Sequence, residues 1–214
     1  MRYSMLAVAV LAMAPVVSAP AVAQVAAQSA APAGDPAARA FVEKLANDAF
    51  ATLRDKSLSK AEGRDRFRTM LETNVALQDI GDRLIRRHRA TITPAQYAAY
   101  QSALPDFVLN AYADRLYDYS DASLKTLRTS ARGSMTDVAT RVTRPGSQPV
   151  DAVWQVKKTP AGKYMVNNLS VSGINLSLTQ EADFNAYIQK NGFDALVTFL
   201  KNANSKSASA RASS

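Results

Sequence analysis

The chain has no cysteine and one histidine among its 214 residues. The first absence excludes disulfides and thiolate metal sites, so stability has to come from core packing. The second excludes a cluster of imidazoles around a metal and confines any nucleophile–base pair to His88. Acidic residues are scattered without the spacing of a calcium loop. The eight glycines include Gly133, Gly146, Gly162 and Gly173, which fall at turns or strand ends and not in a phosphate-cradling run. No apolar stretch after the first residues reaches membrane-spanning length. No aromatic–basic motif accompanies the positive charge, which argues against nucleic acid as a partner. No cofactor and no metal site is expected.

What the chain does have begins with Arg2, an apolar run from Met5 to Val17, and Ala21-Val22-Ala23 before Gln24, the pattern of a secretory signal. Pro15 and the shortness of the run argue against a retained anchor, and the lack of cysteine there excludes lipid attachment of the bacterial lipoprotein kind. Residues 1–23 are therefore expected to be removed on export. Removing Arg2 and no acid takes 26 Lys+Arg to 25 against 18 Asp+Glu, a net of +7, which fits an acidic partner or anionic headgroups. Residues 24–34 are Ala, Gln, Ser and Pro, read as a disordered spacer, and 204–214 as a disordered tail. Between them, 35–203 is expected to form one domain, since 47% hydrophobic composition supports a real core.

Asp35-Pro36 opens a helix with Val42, Leu45, Ala49 and Leu53 on one face. Ser59 to Glu62 has capping-box spacing before a second helix with an inward Phe67, Met70 and Leu71. Leu77, Ile80, Leu84 and His88 mark a third, and Thr93-Pro94 opens a fourth in which Pro105 predicts a kink or break near Ser102. Four strands follow at Ser123–Ser130, Thr136–Arg144, Val150–Lys158 and Tyr164–Val171, separated by Gly/Pro turns. Thr179 is expected to cap a helix through Lys190, Asn191-Gly192 to end it, and Phe193 to Ala203 to form the last. This order predicts an α+β fold, a curved four-stranded antiparallel sheet with helices enclosing an apolar cavity.

Chemistry-bearing residues are few. His88 shares a face with Ile80 and Leu84, as a structural histidine would. Arg83, Arg86, Arg87 and Arg89 make a basic band suited to phosphate or carboxylate, hence a candidate surface for headgroup or partner docking. The apolar face of the sheet with its covering helices gives the candidate pocket: Phe107, Tyr112, Leu116, Val142, Trp154, Val156, Leu169, Ile174, Leu176, Phe184 and Ile188. Three readings stand beside one another: a carrier of an apolar ligand, a small-molecule enzyme of a cone-shaped α+β fold using His88 with a carboxylate, and a non-catalytic adaptor with a filled core.

Thr93-Pro94-Ala95-Gln96, Tyr112-Ala113, Val142-Thr143-Arg144-Pro145-Gly146, Trp154-Gln155-Val156, Val171-Ser172-Gly173-Ile174-Asn175-Leu176 and Asn191-Gly192-Phe193-Asp194-Ala195-Leu196 occur in an order that resembles the MlaC-type periplasmic phospholipid-binding proteins, the toluene-tolerance or ABC-transporter auxiliary component family. The resemblance spans about Ala38 to Leu200. It implies a monomeric, non-enzymatic carrier that holds phospholipid tails between sheet and helices. It also implies two docking partners, an inner-membrane MCE-domain ABC transporter and an outer-membrane lipoprotein–porin complex, and a role in outer-membrane lipid asymmetry. The chain departs from the family's pattern at Arg86 and Arg89, where Gly and Trp are usual, and at Thr179-Gln180-Glu181, where Asn-Tyr-Arg is usual. A branch of the family associated with hopanoid lipids makes a different amphiphile conceivable.

Overall fold

The structure, a computed structural model, describes residues 33–212 and their side chains except those of 112–116 and 210–212. The expected signal and most of the expected spacer lie outside the described residues. Helices α1 (Pro36–Arg54), α2 (Lys60–Asn74), α3 (Leu77–Leu84) and α4 (Pro94–Leu116) come first, and Tyr117–Tyr119 closes the run as a 3₁₀ turn. Strands β1 (Ser123–Arg132), β2 (Met135–Thr143), β3 (Val150–Lys158), β4 (Tyr164–Val171) and β5 (Ile174–Asn175) follow, then α5 (Leu176–Asn191) and α6 (Phe193–Ala212). The sheet is an antiparallel meander in the order β1-β2-β3-β4-β5.

The helix starts follow from local chemistry. Asp35 accepts the Ala37 N–H at 2.9 Å with Pro36 at the first helical position. Ser59 and Glu62 satisfy each other's backbone N–H groups in a capping box. Thr93 and Gln96 do the same for α4, at 3.2 and 2.9 Å. Gly192, at φ 87°, ends α5 in a conformation that side chains disfavour.

Burial divides the apolar residues among three clusters. Tyr100 and Leu104 of α4 pack with Leu84, Phe184, Ile188, Phe193, Leu196 and Leu200, joining α3, α4, α5 and α6. Ala38 and Val42 of α1 cover Val138 and Val156 of the sheet. Leu53, Phe67 and Leu109 join α1, α2 and α4.

Several expectations change. The sheet has a fifth strand, because Ser172 and Gly173, both at positive φ, turn the chain tightly enough to pair Val171 with Ile174. α5 consequently starts at Leu176 with Asn175 as its cap, accepting Leu178 N–H at 3.0 Å, and the Thr179 hydroxyl donates back to the Asn175 carbonyl from inside the helix. α3 stops at Leu84, and the Arg86, Arg87, His88 and Arg89 stretch lies in the turns after it, where His88 N–H donates to the Ile85 carbonyl. α4 runs on through Pro105; the proline removes one hydrogen bond, and packing on α6 offsets that loss. The end of the expected spacer is paired, Ala33 with Ser130 and Gly34 N–H with the Thr129 carbonyl. The segment 204–212, expected as tail, continues α6. Asn204 donates to the Ala103 carbonyl at 2.9 Å and accepts from Asn110 at 3.1 Å, which ties the extension to α4.

Two predictions follow from the packing. Tyr100 is fully buried and its hydroxyl donates to the Gly81 carbonyl at 3.1 Å. Tyr100→Phe is expected to lower unfolding free energy by about 1 kcal/mol, and Tyr100→Ala by about 3–5 kcal/mol, in urea melts. The hydrogen bond from the Tyr164 phenol, reinforced by Ala37 N–H, holds the Asp35 carboxyl below its ordinary value. A depressed carboxyl contributes stability above its unfolded pKa and loses it as pH falls through the folded value, so wild type should lose stability below about pH 4. Asp35→Asn should remove that component from the acid limb of a melting-temperature series.

Candidate functional site

The three clusters meet without merging, and between them lies a cavity of about 370 Å³. Its walls are read directly from helical spacing. Leu45 and Ala49 of α1, Phe67, Met70 and Leu71 of α2, and Ile80 and Leu84 of α3 stand three or four residues apart. So do Leu104, Phe107, Val108 and Ala111 of α4, joined by Leu109, while Val75 closes the link between α2 and α3. The floor is Trp154 of β3 with Val166, Asn168 and Leu169 of β4, and the last wall is Leu176, Ser177 and Gln180 of α5.

A register shift makes that floor possible. Trp154 pairs with Leu169 and Gln155 with Asn168, but Val156 pairs with Val166, so β4 carries one extra residue as a β-bulge. Strict alternation would send Val166 and Leu169 to opposite faces. The bulge turns both toward the helices. Trp154 is oriented by a diagonal neighbour on β2, its indole N–H donating to the buried Thr140 hydroxyl at 3.0 Å.

Of the residues expected in the pocket, Phe107, Trp154, Leu169 and Leu176 line the cavity. Phe184 and Ile188 pack instead in the Tyr100 cluster, Phe184 against Tyr100 and Phe107 with ring centroids 6.4 and 6.0 Å away. Val156 sits under α1 beside Val42. Val142, near the end of β2, is half-buried away from the cavity wall, and Ile174 is 58% exposed on β5. Tyr112 and Leu116 lie on the last turns of α4, and their side chains are outside the described set. The α1, α2 and α3 contributions were missed: their stripes were visible, but a stripe does not say whether it meets a neighbour or a gap.

Arg86, Arg87 and Arg89 of the basic band are exposed, Arg83 is half-buried, and all four have partners. Arg86 Nε donates to Glu181 Oε1 at 2.7 Å, and Arg87 Nε lies 3.6 Å from the same oxygen. Arg83 donates to the Asn167 carbonyl at 2.9 Å. Burial lowers the Arg83 guanidinium from its ordinary value, while Asp79 and Glu181 oppose the shift. Arg89 lies 3.9 Å from Asp82 and 3.7 Å above the Tyr97 ring. These contacts tie α3 and the turns after it to α5 and β4, two walls of the cavity. Among the described residues, His88 bonds Asn185 at 3.0 Å and is hydrogen-bonded to no carboxylate. Among the described residues there is no cluster of three metal-ligating side chains, and no helix is long and apolar enough to cross a membrane.

A curved antiparallel sheet, a helical layer and an apolar cavity between them define an α+β container. Residues 43–202 match the MlaC protein family, and the chain belongs to it. A solved structure from Ralstonia solanacearum, described as a phospholipid-binding protein in complex with a phospholipid, shares the fold. It superposes with a TM-score of 0.70 at 22% sequence identity, covering 80% of this chain and 98% of that one.

Glu181 is 4% exposed while its arginine partners face solvent. Arg86→Ala is therefore expected to cost about 1–3 kcal/mol, because it strips a buried carboxylate of its donor. Glu181→Gln, which leaves the cations in water, should cost less than about 1 kcal/mol. Urea unfolding of the two variants checks the order, and equal costs would contradict it.

Proposed function

We propose that the protein is a periplasmic phospholipid carrier whose cavity holds acyl chains. The observation that carries this reading is the cavity itself: of the residues lining it, only Asn168, Ser177 and Gln180 are polar. Its volume falls in the range of small-molecule sites. It exceeds the roughly 150 Å³ apolar cavities that stay dry and take up hydrocarbon. Membership of the MlaC family and the phospholipid in the Ralstonia solanacearum structure support the same ligand class.

Affinity follows from burial. Each methylene taken from water contributes about 0.8 kcal/mol, so a dozen contribute on the order of 10 kcal/mol. Spontaneous release into water is correspondingly slow, and delivery requires a partner that opens the wall. The reading extends to shuttling between an inner-membrane MCE-domain ABC transporter and an outer-membrane lipoprotein–porin complex, in support of outer-membrane lipid asymmetry. Residues 1–23 serve as the export signal in this account, and 35–203 as the lipid-binding domain. The solvent faces of Arg86, Arg87 and Arg89 are its docking surface, with Arg83 behind them as a structural tie.

Native mass spectrometry of protein purified from the periplasm tests the carrier. Wild type should carry a phospholipid adduct, and Trp154→Asp or Leu169→Asp should reduce the adduct at least ten-fold, since a carboxylate in the cavity meets hydrocarbon. Lipid-free wild type that takes up nothing from liposomes would remove the proposal.

A further inference from the structure

A hydrogen-bond donor facing hydrocarbon is costly unless something accepts from it. The polar residues of the cavity all stand at one place, Asn168 on β4 and Ser177 and Gln180 on the first turns of α5, which packs on β4. Ser177 is 7% exposed and Asn168 is 9% exposed. Asn168 commits its side-chain oxygen to the Leu169 N–H at 2.9 Å, so its NH₂ is the group left for the cavity. Among the described residues, no hydrogen bond joins the Ser177 hydroxyl or the Gln180 amide to another protein group, whereas nearby Thr179 returns its hydroxyl to the Asn175 carbonyl.

The backbone dipole of α5 has the matching sign. α5 begins at this wall with no acidic residue in its first turn, and the positive end of its dipole favours an electron-rich oxygen. Outside, Ile174 and Leu178 are 58% and 55% exposed and flank the lining residue Leu176, so the polar group stands beside an apolar lip.

A purely hydrocarbon ligand leaves these donors unpaired. The group that satisfies them has acceptor oxygens and is attached to long apolar chains, which describes the carbonyl of an acyl ester. We infer that Ser177, Asn168 and Gln180 form an ester subsite that accepts the acyl carbonyls of a diacyl lipid. The glycerol end is fixed at α5, and the chains run toward Phe67, Met70 and Leu71 of α2. The subsite makes the cavity selective for esterified lipids over ether-linked or unfunctionalised chains of equal length. It rests on the carrier reading and adds a specificity that the reading does not contain.

The test is competition between dioleoyl phosphatidylcholine and its dialkyl-ether analogue, with the same headgroup and chain length, read as the ratio of adducts by native mass spectrometry. One hydrogen bond is worth about five-fold, so wild type should favour the diester by roughly five- to thirty-fold. Ser177→Ala and Asn168→Leu should each lower the ratio about five-fold, and the pair should bring it near one. Gln180→Met, at a half-buried position, provides a second variant with little bearing on folding. A variant that still carries the ether lipid has kept its cavity, so the ratio is read on folded protein. Wild type that binds both lipids equally would overturn the subsite and leave carriage intact. Wild type that binds neither would overturn both, and variants that keep the full preference would overturn the assignment to these residues.

Discussion

The extra residue in β4 is the constraint on which the cavity depends. In four consecutive positions it aims Val166 and Leu169 at the same space, places the Asn167 carbonyl under Arg83, and brings Asn168 to the cavity wall. The Val166 carbonyl also accepts the Ala76 N–H at 2.9 Å, where Val75 lies parallel beside the strand. One bulge thus attaches the link between α2 and α3 to the sheet and re-aims the strand beneath it. A regular strand would turn one of Val166 and Leu169 away from the cavity and shift Asn167 off the guanidinium.

The second governing fact is that three apolar clusters meet and do not fuse. Apolar surface left facing a cavity of about 370 Å³ gives up packing contacts that a filled core would make. Filling it with acyl chains and folding the protein are therefore linked equilibria in the carrier account, and ligand uptake should raise stability by mass action. The electrostatic ties around the cavity are arranged accordingly. Arg86 and Arg87 converge on one buried carboxylate, so the contact between α5 and the turns after α3 is held by charge at a solvent edge.

Much of the architecture was legible because it is local. Asp35-Pro36, Ser59 with Glu62, and Thr93-Pro94 announced three helix starts, and Gly192 announced a stop. Alternation located the four long strands. The cavity was legible only in part. Phe107, Trp154, Leu169 and Leu176 were recognised, but Phe184 and Ile188 have the same apolar character and pack on Tyr100, because which cluster a stripe joins depends on where partner helices cross. The bulge at Asn167 had no signature beyond two adjacent asparagines. The departures at Arg86 and Glu181 looked unrelated in the sequence, 95 residues apart, yet they form one ion pair at 2.7 Å.

The chain has a single tryptophan, and Trp154 forms part of the cavity floor. Its fluorescence therefore reports on the central claim, that acyl chains occupy this cavity, without any substitution. Protein loaded from vesicles with phospholipid brominated along its acyl chains should lose most of the Trp154 emission relative to protein loaded with the unbrominated lipid. Emission unchanged by the bromines, in protein shown to carry the lipid, would place the chains elsewhere and contradict the account.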